Sequence, residues 1–411
     1  MNNTDTGLRR RLNLPLLTLY GLGTTVGAGI YVLVGKVAGR AGEFAPVSFL
    51  AAAVLAGFTA WSYAELSSRF PKSAGEAVYV RQGLKREYLA RLVGFLVIAT
   101  GVVSSATLAQ GFAGYFGQLV AVPDPLATVA VILVLALVAA WGIGESVMIA
   151  SLLTVLEVFG LLMVVWAGRD VLSDGSSILD TLTPPLAVVP WAGILGGSFL
   201  AFFAFIGFED IVNVAEEVRD ERRTLPLAIG LTLALTMVLY FVVVVIAVRS
   251  MPLDALRQSG APLVEIFEHQ TGRPGTVLKL IGTFAVINGA LIQIIMASRV
   301  LYGMASQGWM PRVLASVHRK TRTPLHATAV IATLILLLAL LFDLELLAEV
   351  TTLIILGVFT LVNVALVQLK RRGPPPQGCL SIPFWAPVAG AVVSAVFMVL
   401  TFLDLMGRIN A

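Results

Sequence analysis

The sequence predicts an all-α integral membrane protein with about eleven transmembrane helices, and three observations carry that reading. Of its 411 residues, 58% are hydrophobic and 13% charged, whereas soluble domains run ~45–50% apolar and ~25% charged. The chain cannot coat a water-soluble surface, which excludes a soluble enzyme and a disordered chain. Long apolar stretches recur along its whole length, and two of them, five spans apart, are interrupted by glycine.

A membrane helix needs ~20 mostly apolar residues. Candidate spans fall near 12–35, 44–64, 92–123, 125–144, 146–168, 188–208, 224–248, 280–298, 327–342, 346–369 and 380–403. Short loops join them, leaving no room for a separate soluble domain. The first span follows Arg9, Arg10 and Arg11; it is too long for a signal peptide, lacks a small-residue cleavage site and is expected to be retained. With residues 1–11 as a cytoplasmic tail, alternate loops gather nineteen of the 28 Lys and Arg residues on one side. They include Arg69, Lys72, Arg81, Lys85, Arg86, Arg91, Arg219, Arg222, Arg223, Arg312, Arg319, Lys320, Arg322 and Lys370 to Arg372. The positive-inside bias therefore predicts an inner-membrane protein with a cytoplasmic amino terminus and an external carboxyl terminus. The net charge of +4 reports topology and calls for no nucleic acid, although basic loops also suit anionic lipid.

The first span reads Gly21-Leu-Gly-Thr-Thr-Val-Gly-Ala-Gly29-Ile-Tyr. Glycine costs ~1 kcal/mol relative to alanine in a helix, and lipid offers no water to freed backbone groups. A break here lines a polar cavity, or else Gly23 and Gly27 serve close helix packing. The sixth span, Phe202-Phe-Ala-Phe-Ile-Gly207-Phe-Glu209-Asp210, also carries a mid-span glycine with polar residues beyond it. Interrupted segments at corresponding positions of two halves point to a secondary transporter built from inverted repeats. Five spans plus five give a ten-helix core: 12–168 as the first repeat and 188–369 as the second. Residues 370–411 remain as a polyproline linker and an additional span. Half-helix starts favour an anion and half-helix ends a cation, so the gap suits an amino acid.

These residues also carry a resemblance. Gly23-Thr-Thr-Val-Gly-Ala-Gly-Ile-Tyr31, Tyr63-Ala-Glu-Leu-Ser-Ser-Arg-Phe-Pro71, Gly75-Glu-Ala-Val-Tyr79, Phe205-Ile-Gly-Phe-Glu209, Glu216-Glu-Val-Arg219, Arg223-Thr-Leu-Pro226, Ser298-Arg-Val-Leu-Tyr302, Gly308-Trp-Met-Pro311 and His318 to Pro324 follow one another in order. Together they resemble the amino acid–polyamine–organocation transporter superfamily, in particular its cationic amino acid transporter branch and bacterial relatives. The resemblance implies a five-plus-five inverted-repeat fold with unwound helices one and six and alternating access between them. It places the substrate carboxylate against backbone donors around Thr25, Val26, Gly27, Ala28, Gly29 and Ile30. It sets the amino group against carbonyls near Phe203, Ala204, Ile206 and Gly207, with Phe203 as an aromatic lid, and assigns Glu209 to coupling or gating. Many members have twelve spans, so contacts of a twelfth helix are not carried over, and a monomer or weak homodimer is expected. Some proton-coupled relatives carry a lysine where this chain has Glu157; glutamate reverses that charge and removes the lysine mechanism.

Glu157 stands mid-span, where an ionisable group is costly and usually functional. It suits a proton carrier, a partner for a cationic substrate, Na⁺ or Arg299, or a structural ion pair. Glu209 either couples ions or caps the second half of the sixth span. Asp210 is a lesser candidate. Glu65 fits a fold-holding pair with a loop arginine, and Asn288 and Gln293 fit hydrogen bonds between helices. Thr24, Thr25, Thr107 and Ser298 are cavity or ion-site candidates, or satisfy backbone carbonyls at breaks. Residues 251–272 form an external lid or a plain connecting loop.

Cys379 is the only cysteine, which excludes an intrachain disulfide and a zinc–cysteine site. His269, His318 and His326 lie in or beside loops, so no metal or catalytic constellation is expected. No phosphate-binding motif appears, and transport would need no cofactor, only an ion gradient: protons first, sodium second. The expected activity is amino acid transport by proton symport or exchange, with polyamine, amine or cationic amino acid antiport as the alternative. A membrane-embedded enzyme would need clustered acid, base and nucleophile, and a channel repeated filter residues; the sequence offers neither.

Overall fold

The computed structural model describes residues 12–72, 75–141, 146–173, 175–306, 308–318 and 323–409; side chains of residues 28, 141–151, 175–177, 216, 408 and 409 lie outside that description. The basic tail 1–11 and Arg319, Lys320 and Arg322 lie outside it too. Helix dominates the described residues, and their only bridge pairs Leu12 with Val218.

α1 (Leu14–Val26) starts at Asn13, whose side chain accepts the Leu16 N–H at 3.1 Å. It stops at Gly27, where ψ is −136°, and α2 (Ala28–Ala41) follows at once. α3 (Ala45–Arg69), α4 (Gly75–Leu84), α5 (Glu87–Gly117), α6 (Asp124–Trp141) and α7 (Ser146–Ala167) complete the first half. Two short helices, α8 (Arg169–Leu172) and α9 (Gly175–Leu182), lead to α10 (Val188–Phe203).

α10 does not run on. The chain turns through Ala204–Ile206, takes φ +126° at Gly207, which only glycine adopts without strain, and continues as a 3₁₀ helix over Phe208–Glu217. α11 (Glu221–Ser250), α12 (Leu253–Gln258), α13 (Pro262–Thr271), α14 (Thr276–Ser306), α15 (Leu325–Leu341), α16 (Leu344–Arg372) and α17 (Trp385–Ile409) finish the chain.

Seven apolar stretches among the described residues are long enough to cross a membrane. Leu14–Arg69 is one of them and contains the first two expected spans; Asp124–Ala140, Leu152–Ala167 and Leu325–Leu341 are shorter apolar helices. α14 packs most extensively on α5, α3 on α11, and α16 on α17 and α5. Large apolar side chains such as Leu137 and Leu341 stay exposed, as a lipid-facing surface requires.

Residues 251–272 are not an open loop. α12 and α13 bury Leu256, Leu263 and Ile266, and Lys36 Nζ on α2 donates to the Arg257 carbonyl at 2.9 Å. On the same side, Arg40 pairs with Glu345 at 2.9 Å and with fully buried Glu349 on α16. The sequence reading passed over Glu349 because its apolar surroundings masked it.

At the other end, Glu65 pairs with Arg69 on its own helix and with Lys370 on α16 at 2.7 Å. The expected pair with an inner-loop arginine is thus formed by Arg69, which the structure places in the last turn of α3, and Lys370 joins it from the end of α16. Glu65 Oε2 also accepts the Ile382 N–H at 2.8 Å, so the linker after the prolines folds back onto α3.

A buried amide node ties α16 to α3. Asn363 accepts from Ser62 Oγ at 2.6 Å and donates to Thr59 Oγ1 at 3.1 Å and to the Phe359 carbonyl at 2.8 Å. Asn363→Ala leaves the buried Ser62 and Thr59 hydroxyls only long contacts of 3.5 Å, to the Phe58 carbonyl and to Ser394 Oγ, and buried polar groups left poorly paired cost ~1–3 kcal/mol. The variant is expected to unfold several degrees lower in a thermal scan, and an unchanged midpoint would remove the node from the fold's supports.

Candidate functional site

The breaks in the first and sixth spans face each other. Gly29 lies so close to Ala204 that a Cβ on it would sit 2.5 Å from the Ala204 Cα. Between the breaks is a small cavity. Thr24, Thr25, Gly27 and Gly29 line it from the first span, Phe203 and Ile206 from the sixth. Ser104 and Leu108 of α5 and Gly289, Ile292 and Gln293 of α14 close the remaining walls.

Five of the expected substrate residues thus meet at one space. The side chains of Val26 and Ile30 are fully buried, and the Ala28 side chain lies outside the described residues. Thr107 donates to the Val103 carbonyl at 3.1 Å, inside its own helix. The Gly207 N–H donates to Glu209 Oε2 at 2.8 Å, and Thr24 Oγ1 donates across the gap to the Gly207 carbonyl at 2.8 Å.

The electrostatics follow from the breaks. α2 begins without a side-chain cap, so its first N–H groups, which no helix satisfies internally, point into the break. A helix start favours an anion. On the facing side the Ala204 carbonyl is already engaged: Tyr240 Oη lies 3.0 Å from it and 2.7 Å from the Thr25 carbonyl. One buried phenol therefore holds both broken segments, and nothing in the apolar run around it singles Tyr240 out.

Glu157 lies beneath the site on α7. Its Oε1 accepts Asn288 Nδ2 at 3.1 Å, its carbonyl accepts Tyr31 Oη at 2.6 Å, and its buried Oε2 has no hydrogen-bond partner among the described residues. The expected contact with Arg299 is not formed: Arg299 is exposed. Ser298 donates to the Ile294 carbonyl at 2.7 Å within α14. Gln293 reaches between elements as expected, its Nε2 donating to Asp210 Oδ2 at 3.2 Å. No group of three or more His, Cys, Asp or Glu among the described residues is placed to hold a metal ion.

The model of a family described as amino acid permease matches residues 12–408. The chain is 32% identical to cationic amino acid transporter 3, mitochondrial, of Arabidopsis thaliana, over 90% of this chain and 64% of that protein. It is 29% identical to cationic amino acid transporter 4 of Mus musculus, covering 93% of this chain and 63% of that one. Against the branched-chain amino acid permease BcaP of Bacillus subtilis identity is 26%, over 96% and 89%. The chain spans less than two thirds of the plant and mouse proteins' length.

Proposed function

This chain belongs to the amino acid permease family, and on that premise we propose that it carries amino acids across the cell membrane by alternating access. Family and apolar helices together make it a multi-pass membrane protein. The observation that carries the reading is the cavity where Gly27 and Gly29 meet Phe203 and Ile206. An α-amino acid presents a carboxylate and an ammonium one carbon apart. Its carboxylate binds the uncapped N–H groups at the start of α2, and its ammonium binds carbonyls at the end of α10, with Phe203 over the space. Leu108 and Ile292 give the side chain an apolar wall that favours a neutral one. The relatives are named for cationic and for branched-chain amino acids, which fits amino acids as the class and leaves the side chain to the cavity.

In this reading 12–168 and 188–369 are the two inverted repeats that rock about the breaks, and 370–411 adds a flanking span. The unpartnered Oε2 of Glu157 serves as the proton acceptor that couples transport to a proton gradient. Glu209 senses the state of the sixth-span break through Gly207, and Ser298 lies on the route between them. Exchange without net proton movement is the second mode.

Uptake of radiolabelled leucine, alanine and arginine into proteoliposomes, with pH and sodium varied independently, tests this. A bath more acidic than the lumen is expected to drive uptake, and Glu157→Gln to flatten the pH profile. Uptake that needs sodium and ignores pH would sink proton coupling; a Glu157→Gln profile matching wild type would remove Glu157 from it.

A further inference from the structure

The two breaks meet the carboxylate and the ammonium of an amino acid, which leaves the α5 and α14 walls of the cavity to its side chain. No Asp, Glu, Lys, Arg or His is among the described residues that line it. A charged side chain would enter a space without a counter-charge, and an unpaired ion out of water is strongly disfavoured. A long side chain is opposed as well, because Phe203, Ile206, Leu108 and Ile292 close in on a small space.

The side-chain wall is not plain hydrocarbon. Ser104 on α5 is 5% exposed and lines the cavity, and its hydroxyl has no hydrogen-bond partner among the described residues. Its neighbours differ. One turn to either side on the same helix, Thr100 and Thr107 give their protons to the Leu96 and Val103 carbonyls at 2.9 and 3.1 Å. The other two hydroxyls on the cavity do the same: Thr24 donates to the Gly207 carbonyl and Thr25 to the Gly21 carbonyl, each at 2.8 Å.

Gln293 of α14 adds a second unmet group. It separates the cavity from a smaller pocket lined by Glu76, Glu209 and Asp210, and its Nε2 donates to Asp210 Oδ2 at 3.2 Å. A carboxylate only accepts, so this bond fixes which end of the amide is the oxygen. That oxygen is buried and without a hydrogen-bond partner. It rests against α5 at Gly101, where an added Cβ would come within 3.3 Å of it, a turn before Ser104. Buried polar groups are normally paired. A hydroxyl can accept from one oxygen and donate to another, so it suits a serine hydroxyl beside an amide oxygen, whereas a methyl group meets neither.

We propose that Ser104, with Gln293 beside it, selects the side chain, and that the cavity is built for a small hydroxyl amino acid, L-serine or L-threonine. The proposal names the substrate class within the transport reading above and rests on that reading for the placement of the carboxylate and ammonium. An aliphatic side chain of the same shape leaves the Ser104 hydroxyl unmet and forfeits a hydrogen bond.

The test compares isosteres in which a hydroxyl stands for a methyl: L-serine against L-α-aminobutyrate, and L-threonine against L-valine. The full chain in lipid nanodiscs is titrated with each and its unfolding midpoint followed, since a ligand that binds the folded state raises the midpoint. The hydroxyl member of each pair is expected to bind about tenfold more tightly, and Ser104→Ala to bring both ratios to about one. That substitution removes no hydrogen bond within the protein, so the variant should fold. Ser105→Ala is the control: its hydroxyl is also buried and unpartnered but lies off the cavity, and both ratios must persist in it. Equal affinities within the pairs, ratios that survive Ser104→Ala, or tighter binding of L-arginine or L-lysine than of L-serine overturns the proposal. The ratios in the parent chain decide the matter if a variant does not fold. Uptake into proteoliposomes separates the two readings. Amino acid uptake with no preference in either pair sinks this proposal alone, whereas the expected ranking with no uptake of any amino acid sinks the transport reading and leaves the side-chain subsite standing.

Discussion

Gly29→Ala is expected to reduce amino acid uptake in proteoliposomes by about tenfold or more, with the protein still folded and monodisperse. The single added methyl would sit 2.5 Å from the Ala204 Cα and 2.8 Å from its Cβ. Neither atom can swing aside, because one is backbone and the other is fixed to it. The two interrupted spans must then part, and overpacking of this kind costs ~1–3 kcal/mol; a tenfold loss corresponds to 1.4 kcal/mol. The same shift moves the first N–H groups of α2 away from any bound carboxylate. Gly230→Ala is the matched control: nothing lies within 4 Å of its added Cβ. Alanine is the better helix former, so that variant should transport normally and unfold no lower than the parent. Normal uptake by Gly29→Ala would remove the close approach from the mechanism.

Tyr240→Phe is expected to cost both affinity and stability, with the larger effect on affinity. Removing one oxygen leaves the Thr25 and Ala204 carbonyls without the phenol that now reaches both at 2.7 and 3.0 Å. Buried acceptors left unmade cost ~1–3 kcal/mol, here on the two segments that must hold their geometry for substrate. The expected signature is a rise of about tenfold in the half-saturating amino acid concentration, with the ring packing against Phe49 and Phe205 retained. A fall in maximal rate at unchanged half-saturation would place Tyr240 in the conformational step instead of in binding.

The glycines at 27 and 207 were legible because lipid punishes free backbone groups and glycine in an apolar run has few other reasons to be there. The meeting of Gly29 with Ala204 followed from pairing those breaks. What stayed hidden shares one property, that its meaning depends on partners far along the chain. Tyr240 sits in Leu239-Tyr-Phe-Val, where a phenol reads as one more large apolar residue. Glu76 is separated from Asp210 by the six helices α5 to α10, and only the fold brings them to one cavity. Gln293 was legible as an interhelical donor, while its unpartnered oxygen is a fact of three dimensions.

Glu65 sets a timing problem for synthesis. Its Oε2 is engaged by Lys370 and by the Ile382 N–H, 317 residues further on. At ~5–20 residues per second the ribosome delivers those partners roughly 15–60 s after Glu65 has entered the bilayer. Among the described ion pairs of Glu65, the one with Arg69, made moments after it, is the one available throughout that interval. A nascent chain halted before residue 370 therefore lacks two of the three partners that hold Glu65 at the end of α3 in the finished fold.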